Sequence, residues 1–220
     1  MDSSQIVDGL IYYIELVVLL TFHEFAHAWV AHKCGDDTAR LQGRMSLNPV
    51  VHIDPIGTVV LPLIMIFIAP VSPNVSRFLI GWAKPVPVNL ASLRFPFRDD
   101  ILIALAGPAM NLLLAVVLVG FARIALIFGS DDAVILFLQT ASLSLLLCFF
   151  NLIPVPPLDG SHVLRNFIGM SWETYINMCR YGFIAVIIVL NIPGVRPVLA
   201  GVTGGTLHLL MAWFGFPPFF

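Results

Sequence analysis

Charge is what this chain has least of. Only 11% of its 220 residues are Asp, Glu, Lys or Arg, against roughly 25% in a soluble domain. Apolar residues supply 59% of the chain and mean hydropathy is +0.94, which is the composition of an integral membrane protein whose solvent is a lipid bilayer. With a formal net charge of -2 there is no basic surface for a phosphate backbone, and nucleic acid is excluded as a partner. Cysteine is scarce as well. Cys34, Cys148 and Cys179 are scattered without a CxxC pair, so neither a disulfide scaffold nor a cysteine-based zinc site is indicated. The opening residues MDSSQIVDG carry no Lys or Arg; they do not fit the basic n-region of a cleavable signal peptide, and the first helix is expected to stay in the mature protein. No charged, proline-rich or serine-rich linker interrupts the apolar segments, so residues 1–220 read as a single integral-membrane domain.

Hydropathy predicts an all-α polytopic membrane protein with about five to six transmembrane helices. The first runs from about Ile6 to Ala31. A polar connection, His32 to Pro55, follows; within it the alternation in ARLQGRMSLNPV, with Gly43 as a turn, predicts a short membrane-associated β-hairpin or extended strand. Such a strand leaves an edge that could pair with an extended peptide segment. Ile56 to Pro70 is apolar, but it is short of the roughly 20 residues that span a bilayer and contains Pro62. Together with Phe78 to Ala83 it reads as a re-entrant or broken hairpin over 56–83, with a true span as the alternative. Asp100 is expected to cap a long helix, Ile101 to Phe128. The acidic turn GSDDA at 129 to 133 leads into Val134 to Ile153, and Tyr181 to Ile192 with Val198 to Phe214 makes a final hairpin. Of the 11 basic residues, all but Arg123 and Arg196 then fall on one side of the membrane. The positive-inside rule makes that side cytoplasmic.

One cluster of ionisable residues stands inside an apolar run. In TFHEFAHAWVA, residues 21–31, His23 and His27 are four apart and so project from one face of a helix. His-Glu-x-x-His supplies two imidazole ligands for Zn²⁺ and, in Glu24, a carboxylate that can take a proton from an attacking water. The competing reading is a set of polar residues on the wet face of an amphipathic helix. Leu16 to Phe22 and Phe25 to Ala31 are otherwise almost wholly apolar, which weighs against it, because ionisable groups in such a run are costly and mark functional sites. Glu15 lies about 80° around the same helix from His23 and either lines a wet cavity or hydrates a turn. His52, in the polar connection, is either a partner of a metal ligand or a solvated loop group.

A second chemical stretch is NLIPVPPLDG, Asn151 to Gly160. Pro154, Pro156 and Pro157 forbid a continuous helix there, and irregular backbone at membrane depth is tolerated only where protein buries it or water reaches it. Asp159, presented by that break, reads equally as a third zinc ligand and as a turn residue of Leu-Asp-Gly.

Taken together, HEFAH at 23 to 27 and NLIPVPPLDG at 151 to 160 resemble the site-2 protease family of intramembrane zinc metalloproteases. GWAKPVPVN at 81 to 89 and LAGPAMN at 105 to 111 resemble, more narrowly, the compact bacterial group without a PDZ or CBS domain. The likeness extends from about residue 10 to residue 190 and no motif departs from the family pattern.

The resemblance implies a single catalytic Zn²⁺ held by His23, His27 and Asp159, with the fourth position left for water. It implies that Glu24 is general base for a zinc-activated water and then proton donor to the leaving amine. Asn151 matches a position that holds the substrate backbone or the oxyanion, a contribution of about 3 kcal/mol for a well-placed donor; its structural alternative is to bond a broken helix end. Substrates would be transmembrane proteins cut within or near their membrane segments, and the location a bacterial inner membrane with the site towards the cytoplasm. Two alternatives differ in class: a membrane metal carrier, and a catalytically silent relative that binds membrane proteins. A carrier would spread ligands over several helices, and a silent relative would normally lack Glu24. A prenyl-protein type of zinc protease would want a third-ligand glutamate, and beyond Glu15 and Glu24 the chain offers only Glu173.

Overall fold

The computed structural model describes residues 3–68 and 81–217, and the chain divides into two compact units, Met1–Ser92 and Leu93–Phe220. Among the described residues every regular element is helical.

The first unit is built on helix α1, Ser3–Cys34. Its exposed apolar residues Val7, Ile11, Ile14 and Val18 form one stripe, and its buried residues Leu16, Leu19, Leu20, His23, Ala26 and His27 form another. Both follow the helical period, so the period that buries the leucines carries the two histidines inward with them. Gly35, at φ +106°, ends the helix: its N–H reaches His32 O, and the N–H of Asp36 reaches Ala31 O at 2.9 Å, the pairing that satisfies terminal carbonyls after a left-handed residue.

The β-hairpin expected in ARLQGRMSLNPV is not formed. Residues Thr38–Leu41 are a short helix, α2, and Pro49–His52 a 3₁₀ turn. Local polar bonds account for the difference. Asp36 accepts from the N–H and hydroxyl of Thr38, Arg40 clasps Asp37 through Nε at 2.8 Å and Nη2 at 3.1 Å, and Asn48 accepts from the Val50 N–H at 3.1 Å. Side chains that bond their own backbone offer an alternative to a ladder, and among the described residues no second strand competes for it. Pro55–Val60 then forms a wide helical turn capped by Asp54, followed by α3, Leu61–Ile68. The hairpin expected over 56–83 therefore begins as helix, and its middle lies outside the described residues.

The second unit is organised around an antiparallel pair, α4, Pro96–Ile127, and α5, Asp131–Asn151. Ala115, Val119, Ala122 and Ala125 of α4 pack with Val134, Ala141 and Leu145 of α5. Small residues let two helix backbones approach closely, which is how helices associate in lipid. Helix α4 starts earlier than expected, and Asp100 is not its cap. Pro96 presets the first turn and Asp99 accepts the Phe95 N–H at 2.8 Å, which leaves Asp100 facing another helix. Helices α6, Gly160–Ile168, α7, Trp172–Cys179, α8, Gly182–Asn191, and α9, Val195–Trp213, complete the unit. The end of α9 is tied to α4, where Arg123 Nε donates to Phe214 O at 3.1 Å.

Among the described residues three helices are long and apolar enough to cross a membrane: Ile6–Cys34, Pro96–Ile127 and Asp131–Asn151. A fourth span arises if α7 and α8, bent by 70°, count as one. The described residues thus support three to four of the expected five to six. Helix α9 has the length, but Arg196, Thr203, Gly204, Gly205, Thr206 and His208 dilute its apolar character.

Candidate active site

Helix α1 brings three of the expected site residues together. His23 and His27 are 3% and 7% exposed, and their Nε2 atoms face each other at 3.0 Å. The rings meet edge to face with centroids 4.7 Å apart. Two nitrogens that each sit about 2.0–2.1 Å from a tetrahedral ion are roughly 3.3 Å apart, so the pair suits two ligands of one zinc. The same approach is met by a hydrogen bond in which one ring donates and the other accepts. Glu24 is buried beside them, and its Oε2 accepts the Val86 N–H at 3.1 Å.

The other two expected residues belong to the second unit. Asn151 is the last residue of α5, and its Nδ2 donates to Leu147 O at 2.9 Å. One of its two amide hydrogens thus bonds the helix end, as its structural alternative foresaw, and the second remains a potential donor. Asp159 is the residue before α6, yet its side chain makes no cap hydrogen bond to that helix. A half-buried aspartate in the preferred N-cap place that does not cap has its carboxylate directed elsewhere. Its position is closely fixed: a Cβ on Gly160 would stand 2.2 Å from Leu152 O, so the start of α6 is pressed onto the end of α5.

His52 differs from the solvated loop group considered above. It is 2% exposed, pairs through Nε2 with Ser46 O at 2.8 Å, and its carbonyl accepts the Lys84 N–H at 2.9 Å. Two features escaped sequence reasoning. One is the Val86 amide, a backbone group 62 residues from its partner Glu24, for which the proline-flanked KPVPVN was the only hint. The other is Asp100, which accepts from Arg165 Nη2 at 2.9 Å, from His162 Nδ1 at 3.2 Å and from Asn166 Nδ2, and so locks α6 to α4.

The sequence matches the model of peptidase family M50 over residues 129–190. YwhC of Bacillus subtilis (strain 168), which carries a zinc metalloprotease name, is 36% identical over 193 residues, 82% of this chain and 80% of that protein. Two Rip2 proteins carry the same kind of name. The one from Mycolicibacterium smegmatis (strain ATCC 700084 / mc(2)155) is 31% identical over 183 residues, 80% of this chain and 65% of that protein. Rip2 of Mycobacterium tuberculosis (strain ATCC 25618 / H37Rv) is 26% identical over 200 residues, 88% of this chain and 70% of that protein. No solved structure matches significantly.

Proposed function

The chain belongs to peptidase family M50, the site-2 proteases, and from that premise we propose that this integral membrane zinc metalloprotease hydrolyses peptide bonds within or near the transmembrane segments of other membrane proteins. The observation that carries this reading is the buried His23, Glu24 and His27 on a helix otherwise apolar enough to span the bilayer. Ionisable groups are expensive there and persist where chemistry needs them.

In this reading His23, His27 and Asp159 hold one zinc ion. Two imidazoles and a carboxylate are a donor set suited to it. When bound, zinc supplies Lewis acidity that polarises the scissile carbonyl and acidifies water. Glu24 takes the proton of the attacking water on a carboxylate oxygen and passes it to the departing amine nitrogen. Asn151, with one amide hydrogen bonded to Leu147, turns the other towards the developing oxyanion. The apolar surroundings of α1 limit bulk water, and a substrate helix must unwind locally to present an extended bond. Residues 1–220 act as one membrane domain in the inner membrane of a bacterium, with the site open to the cytoplasmic side, where most of the basic residues gather.

The test is purification in detergent with zinc quantified, followed by cleavage of a model transmembrane peptide by wild type and by Glu24→Gln. Metal is expected in both and cleavage in wild type alone. Equal turnover by the two removes the mechanism.

A further inference from the structure

The stretch from Gly81 to Asn89 reaches Glu24, and the reading above gives it no part. It forms no helix, and Pro85 and Pro87 keep it extended. Its amides alternate in their use: Trp82 N–H donates to Gly57 O at 3.2 Å, Lys84 N–H to His52 O at 2.9 Å, and Val86 N–H to Glu24 Oε2 at 3.1 Å. That is the period of two of an extended chain, whose residues 82, 84 and 86 face the same way. The carbonyls on that side are bonded too. Trp82 O accepts the Thr58 hydroxyl at 2.7 Å, and Lys84 O accepts Arg44 Nη2. Beyond the prolines, Asn89 N–H donates at 2.7 Å to Asp36 Oδ2, a carboxylate only 1% exposed whose other oxygen is held by Thr38.

Two of three successive rungs therefore end on backbone carbonyls, and the third ends on the carboxylate that the chemistry uses. Because proline has no N–H, Val86 is the one amide donor in Pro85-Val86-Pro87. A glutamate side chain has three rotatable bonds, and a fixed donor on one oxygen selects among its rotamers while leaving the other oxygen to take a proton. We infer that residues 81–89 form a strap that orients the Glu24 carboxylate through the Val86 amide, with Asp36 and Arg44 as positioning residues that hold the strap on either side of it. The inference rests on Glu24 being the general base.

The decisive variant replaces the Val86 amide with an ester in the full-length, zinc-loaded protein, which removes the donor and keeps the side chain. With a quenched-fluorescence transmembrane peptide as probe, kcat is expected to fall about 10- to 100-fold, a part of the 10²–10⁴ a positioned base contributes. KM and zinc content should stay unchanged. Wild-type kcat, or a loss that appears in KM or zinc content instead, overturns the inference. A second measurement needs no substrate: in valine-labelled protein, hydrogen exchange at the Val86 amide is expected to be at least about tenfold faster in Glu24→Ala than in wild type, and unchanged exchange also overturns it. A protein that cleaves nothing yet keeps Glu24-dependent protection of Val86 would count against the protease chemistry and for the strap.

Discussion

Arg165 on α6 donates Nη2 to Oδ2 of Asp100 on α4 at 2.9 Å, and the two side chains are 7% and 3% exposed. The guanidinium also lies over the rings of Trp172 and Tyr175, at 5.0 and 5.5 Å from their centroids, so one pair gathers three helices. Removing one member of a buried pair strands the other charge, at a cost of about 3–5 kcal/mol. Asp100→Ala should lower thermal stability in detergent by that order. The double variant Asp100→Leu with Arg165→Met should recover most of it, which a thermal unfolding series on the three proteins would check.

Gly160 permits no side chain. An added Cβ would sit 2.2 Å from Leu152 O and 2.9 Å from Ile153 O, and backbone oxygens give way less readily than side chains. Gly160→Ala should cost at least the roughly 1–3 kcal/mol typical of overpacking. Since Asp159 is the preceding residue, zinc per chain should fall as well. Full zinc content in this variant would show that the metal tolerates movement of α6.

Asp159→Ala tests the proposed third ligand directly. Loss of a carboxylate ligand should reduce zinc stoichiometry in the purified protein to a small fraction of wild type, whereas Glu24→Gln should leave it intact. Unchanged stoichiometry on Asp159→Ala would mean that another group completes the site.

Ser171 caps α7 by accepting the Thr174 N–H at 3.2 Å. Ser171→Ala should therefore cost about 1 kcal/mol, with zinc content and cleavage untouched, since the cap touches none of the candidate site residues. Denaturant titration beside a zinc assay separates the two effects.

Acid should act at the connection after α1. The Arg40 guanidinium, and then His32, hold the Asp37 carboxyl below its usual range. A folded value below the unfolded one means a contribution present above about pH 4 and lost as pH falls through the folded value. Asp37→Asn should flatten the decline of stability below about pH 4, and an unchanged acid limb would assign that decline to other carboxylates.

The parts of the fold legible in the sequence are those fixed by local composition. The apolar runs of α1, α4 and α5 and the four-residue spacing of His23 and His27 need no partner to be read, because helix period and hydropathy decide them. The connection at 38–52 was misread because its alternation of apolar and polar residues suits a strand, while bonds from Asp36, Asp37 and Asn48 close it into turns. Two adjacent aspartates hid the start of α4: Asp99 took the terminal amide and Asp100 took Arg165. For the candidate site, the side chains were legible and their supports were not. The Val86 amide, the Asp36 anchor and the buried His52 act across long separations in the chain, and no spacing rule encodes them.

Arg123 broke the charge asymmetry expected of the loops, and its bond to the Phe214 carbonyl gives that exception a job. A cation that docks on the bare end of a neighbouring helix exchanges the solvation it would otherwise seek among lipid headgroups for a peptide dipole close at hand. It works as a rivet, fixing where α9 stops against α4. Topology read from basic residues should discount it, because its address is another helix and not a side of the membrane.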